Sequence, residues 1–84
     1  MKKLLISVKD SKAESWSVPA SADTKAAAIR DFGSLVSDGR TIIGQHPEDF
    51  DLYVVGSFDL LAGTIEACIP VHLANGADLK PTKE

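Results

Sequence analysis

At 84 residues, 44% hydrophobic and 25% charged, the chain has room for one domain and enough apolar side chains to fold it, which excludes wholesale disorder and a multidomain architecture. The net charge of −3 hides a split, since residues 1–30 carry six basic and three acidic side chains and residues 31–84 three basic and nine acidic. That split suits one basic face on an acidic protein as well as it suits a solvated surface of mixed charge. Cys68 is the single cysteine, which excludes an internal disulfide and fits a reducing compartment.

Met1 to Ile6 superficially resembles the start of a secretory signal, but Ser7 breaks the apolar run and Lys9-Asp10 closes it. The run is too short for a signal core, and no later stretch is long enough to span a membrane. The expectation is a protein that stays in the cytoplasm. Lys3 to Val8 alternates and predicts a first strand, with Leu5 implying partial cover on its second face. Lys9 to Ala20 is a long polar connection holding Trp16 and Val18, with room for a short edge strand at Trp16 to Val18 before Pro19. Ser21 or Asp23 is the expected cap of a helix running from Thr24 to about Ser37, whose apolar stripe is Ala28, Ile29, Phe32, Leu35 and Val36. Gly39 is the expected left-handed residue ending it. Ile42 to Gly44 reads as loop with a possible helical turn, and Pro47-Glu48-Asp49 as the first turn of a brief helix.

Leu52 to Phe58 and Thr64 to Leu73 form a predicted β-hairpin whose turn ends in Gly63. Leu52, Val54, Gly56 and Phe58 are expected on one face and Tyr53, Val55 and Ser57 on the other, so both faces carry apolar groups. One helix covers one face, which leaves the second to another subunit or to the early connection. Pro70 implies an edge or a bulge late in the last strand. Asn75-Gly76 is a turn signal, and Leu79 can tuck back onto the sheet. The resulting fold class is α+β: a small antiparallel sheet of three to four strands in the order β-loop-α-β-β, with one helix packed on one face. Residues 1–79 make a single globular domain and residues 80–84 a flexible polar tail.

The chemistry the residues support is limited. Cys68 and His72, four apart in a predicted strand, stand ~13 Å from each other and cannot grip one metal ion. His46 beside Glu48 and Asp49 suits local hydrogen bonding and helix capping, and the acidic group lacks the ligand pattern of a calcium loop. No nucleophile elbow marks any serine, and the glycines are scattered rather than gathered into a phosphate-cradling run. No catalytic residue, cofactor or metal is therefore expected. A surface for single-stranded DNA needs cations near an exposed ring, and the candidates are Lys9, Lys12 and Trp16, extended by Lys3 and Arg30. Binding through these cations should weaken steeply as salt rises. The competing reading makes Trp16 a lid on the core and the lysines solubilising groups. Leu60 and Leu61 sit where a hairpin turn should be polar and, with Tyr53 and Val55, form a candidate protein interface.

The segments His46-Pro47-Glu48-Asp49-Phe50-Asp51-Leu52-Tyr53-Val54-Val55-Gly56-Ser57-Phe58-Asp59 and Pro70-Val71-His72-Leu73-Ala74-Asn75-Gly76-Ala77-Asp78-Leu79 resemble the small non-structural protein of gokushoviruses, single-stranded DNA phages of the Microviridae. Ser7-Val8-Lys9-Asp10, Lys12-Ala13-Glu14 and Ala28-Ile29-Arg30-Asp31-Phe32 extend the resemblance, in order, over nearly the whole chain. It implies a non-enzymatic factor that binds DNA or acts in the switch from duplex replication to single-strand synthesis, with no catalytic residues. Leu60-Leu61 departs from a turn that is usually polar in those proteins. Single-stranded DNA is the expected partner of a homodimer in the bacterial host cytoplasm. The alternative is a dimeric adaptor that binds a phage or host protein through an apolar sheet face and the hairpin tip.

Overall fold

The first long strand, β1 (Lys2–Asp10), occupies the middle of a curled antiparallel sheet in a computed structural model that describes residues 1–80. Two short strands from the early connection, β2 (Ser15–Trp16) and β3 (Ala20–Ala22), share one edge of β1. On its other edge β1 pairs with β4 (Phe50–Asp59), and β4 with β5 (Thr64–Asn75). Between β3 and β4 run the helix α1 (Lys25–Ser37), the short α2 (Ile42–Gln45) and a 3-10 turn (Pro47–Asp49), and α3 (Gly76–Leu79) follows β5. The α+β class and the packing of α1 on one face are as the periodicity implies, while α2 and α3 add two short helical turns that were not expected as helices. The sheet gains its fifth strand because the long connection contributes two pieces rather than one.

Spacing by four aligns Ala28, Phe32 and Val36 on one side of α1, where they bury against Phe50 and Leu52. Ile6, Val8, Ala22, Ile29, Ile43, Leu73 and Leu79 pack around this core, so Leu79 does tuck back. Leu35, expected in the stripe, is 43% exposed, because it lies to one side of the buried row.

Several ends differ from expectation. Thr24, not Ser21 or Asp23, caps α1 by accepting the Ala27 amide at 3.0 Å; Ser21 is occupied in β3 opposite Leu5. Gly39 is not left-handed. The helix closes instead through the Asp38 amide and the Thr41 hydroxyl, which both donate to the Leu35 carbonyl, so no left-handed residue is needed to satisfy that group. Ile42 to Gly44 belongs to a helical turn capped by Thr41. The Asn75-Gly76 signal likewise opens a helical turn, with Asn75 accepting from the Ala77 amide at 2.9 Å. Lys80 is not part of a free tail, since its ammonium donates to the Gly44 carbonyl at 2.9 Å. The rest of that expected tail, residues 81–84, lies outside the described residues.

The hairpin departs from simple alternation. Val54 faces Ile6 and Gly56 faces Leu5, so Val55 is bulged and the two faces exchange there. Gly56 and Phe58 therefore do not share the face of Leu52 and Val54. Opposite this bulge β5 shifts as well, pairing Ala67 with Gly56 but Val71 with Val54. Pro70 lies within the shifted segment of this edge strand, where no ladder donor is required. Gly63, at φ 70°, makes the left-handed turn between β4 and β5.

Candidate functional site

Leu52 and Val54 are buried, so the alternating Asp51 and Tyr53 point to the opposite face, which no helix among the described residues covers. Register assembles a row on that face. Lys9 stands opposite both Trp16 and Asp51, while Tyr53 stands opposite both Ser7 and His72. The Trp16 and Tyr53 rings lie 4.9 Å apart at 58°, and Tyr53 meets His72 edge-on at 5.2 Å and 78°. The Lys9 ammonium sits 5.6 Å from the Trp16 ring centroid, a cation–π distance. Trp16 stays 42% exposed, so a ring with one side against Tyr53 still offers surface to a ligand.

Short polar contacts hold this row in place. The buried Ser7 hydroxyl donates to the Ser17 carbonyl at 2.7 Å, and the Ser17 hydroxyl accepts the Val8 amide at 2.9 Å. These bonds fasten the residue after Trp16 to β1. The preceding turn is set by the Asp10 carboxylate, which accepts the Lys12 and Ala13 amides at 3.0 and 3.2 Å. At the far end of the row, Asp51 Oδ1 lies 2.9 Å from His72 Nε2 and accepts from Asn75 Nδ2 at 3.0 Å.

The cations anticipated for nucleic acid do not converge. Only Lys9 joins the row. Lys12 sits in the turn after β1 and lines an open groove of about 240 Å³ with Asp10, Ile42, His46, Asp49 and Phe50. Lys3 is ion-paired with Asp23. Arg30 lies on α1, 3.9 Å from the Asp31 carboxylate. Because α1 packs on the Leu52 face, Arg30 is on the other side of the sheet from Trp16 and lies apart from the Lys9 end of the row, contrary to expectation. Among the interface candidates, Leu60 and Leu61 are exposed at the hairpin tip, 43% and 87%. Val55 is the bulged residue. Tyr53 belongs to the aromatic row rather than to the tip.

Sequence reasoning missed His72 as a member of the row. A regular hairpin with Asp59 opposite Thr64 would set Tyr53 opposite Pro70; the shift in β5 brings His72 there instead. The donor atoms of His46, Glu48 and Asp49 lie within 4.8 Å of one another. This follows from a proline-initiated 3-10 turn that gathers two carboxylates at its start.

Fold and site together define a small α+β protein with one covered and one open sheet face, the open face carrying a cation and aromatic rings. The chain belongs to the phage ORF5 protein family, which it matches over residues 3–79. No curated protein and no solved structure matches it. It is a phage protein, and among its described residues no helix is long and apolar enough to cross a membrane.

Proposed function

We propose that the protein is a non-enzymatic, gokushovirus-type non-structural protein that binds single-stranded DNA in the host cytoplasm during viral genome replication or the switch to single-strand synthesis. The observation that carries this reading is the Lys9 ammonium over the half-exposed Trp16 ring on the uncovered face. A ring offers a stacking surface to any unpaired base, and an adjacent cation offers a partner to its phosphate. Membership of a phage family is consistent with such a role. The direct test is titration of a fluorescein-labelled 12-nucleotide deoxyoligomer at low salt. Binding is expected, and it falls when Lys9 and Trp16 are changed together to alanine. Absence of binding by the unaltered protein at low salt would reject the reading.

A second reading is favoured by a different observation. Ile65, Ile69 and Val71 on β5 are 69%, 87% and 48% exposed, and Leu61 at the adjoining tip is 87% exposed. Exposed apolar groups along an edge strand and at its tip suit a protein contact, either a second copy in a homodimer or a phage or host protein. Light scattering behind a sizing column tests the homodimer. A monomer at high protein concentration would leave only the heterologous partner.

A further inference from the structure

We infer that Tyr53 and His72 complete the Lys9–Trp16 site, making a row that holds unpaired bases by stacking while engaging very few phosphates. This rests on the single-stranded DNA reading and gives it a mode. Three rings in successive contact at 4.9 and 5.2 Å span at most about 10 Å, the length of roughly three stacked bases at 3.4 Å each. The rings rise from one face of a sheet, so they reach bases that are already unpaired and cannot enter the stack of an intact duplex.

Charge along the row is one-sided. Lys9 supplies a cation at the Trp16 end, and the Asp51 carboxylate beside His72 opposes phosphate at the other. Lys12 stands next to Asp10 and Asp49, Lys3 is held by Asp23, and Arg30 is across the sheet. The strand backbone is thus gripped at the Lys9 end, where Lys12, in the turn after β1, is the next cation along the chain. Stacking, rather than counterion release, supplies most of the affinity. Salt dependence is the distinguishing readout. With one or two phosphates engaged, the logarithm of the binding constant falls against log salt with a slope of about −0.7 to −1.4, whereas five cations would give about −3.5.

The experiment measures anisotropy of labelled dT12 and rU12 over a salt series, with quenching of Trp16, the single tryptophan, reporting contact at the row. Tyr53→Leu keeps an apolar side chain and removes the ring; it is expected to weaken binding about tenfold or more, while Tyr53→Phe stays within about twofold. Arg30→Ala is expected to change nothing, and a 12-base-pair duplex to compete poorly. Circular dichroism and thermal melting establish that Tyr53→Leu remains folded. If that variant does not fold, His72→Gln, at an exposed position, replaces it, with a loss of about threefold or more expected. Binding by the unaltered protein that survives loss of the ring, or a slope steeper than about −2 with loss on Arg30→Ala, overturns the stacking mode and leaves single-stranded DNA binding intact. No binding to either strand at low salt removes the underlying reading as well.

Discussion

Ser7 is the buried polar residue on which the position of Trp16 depends. Its hydroxyl is spent on the Ser17 carbonyl, and alanine would leave that acceptor without this donor. Ser7→Ala should cost about 1 kcal/mol in urea unfolding, with a red shift of Trp16 fluorescence as its segment loosens from β1. A second residue-scale expectation concerns Asp59. The Ala62 and Leu61 amides donate to its carboxylate and the Lys2 charge favours the ionised form, so its pKa lies below the ordinary aspartate value. A depressed pKa means that the carboxylate's contribution is fully present above about pH 3.9 and is lost as pH falls through the lower folded-state value. The Leu61 and Ala62 amide resonances should therefore titrate in acid with a midpoint below about 3.9; a midpoint at or above it would mean that these bonds do not persist in solution.

At the scale of elements, the short helical turn after β5 depends on close approach. A Cβ built on Gly76 would stand 2.3 Å from the Pro47 carbonyl oxygen, so Gly76→Ala must push α3 off the 3-10 turn. A loss of about 2 kcal/mol is expected, measured by thermal or urea unfolding, whereas Gly39→Ala, with nothing within 4 Å, should be nearly neutral. Helix α1 and the long hairpin were legible in the sequence because each repeats its pattern over many residues: Ala28, Phe32 and Val36 at helical spacing, Leu52 and Val54 at strand spacing. What escaped depends on single-residue shifts. The bulge at Val55 exchanges the faces, and the displacement in β5 exchanges Pro70 for His72 opposite Tyr53. Neither is encoded by hydrophobic period. The cap at Thr24 was missed because Ser21, Asp23 and Thr24 all have capping side chains, and only the pairing of Ser21 with Leu5 removes one of them. For the candidate site, Lys9 and Trp16 were readable as a cation and a ring in one connection. That Arg30 lies on the other face follows from packing, which a list of charges does not contain.

For the molecule as a whole, the radius of gyration of 13.4 Å and extents of 48 × 25 × 19 Å describe an elongated body, against a radius of about 12 Å for a compact chain of this length. The cause is visible in β5, where Thr64 to His72 are all exposed while α1 covers the other end of the sheet. Folding and association should consequently be separable. Ile65→Lys and Ile69→Lys are expected to change unfolding free energy by no more than about 0.5 kcal/mol while abolishing any concentration-dependent increase in mass seen by light scattering. Pro70 limits what form such association can take. An edge strand with a complete row of amides and carbonyls is a template on which further chains can add without end, and a missing amide beside a shifted register spoils that template. Pro70 takes one amide out of β5, which disfavours open-ended backbone pairing along this edge relative to contact through side chains. Pro70→Ala, which restores that amide, is expected to raise thioflavin-T-positive aggregation of the protein on prolonged incubation.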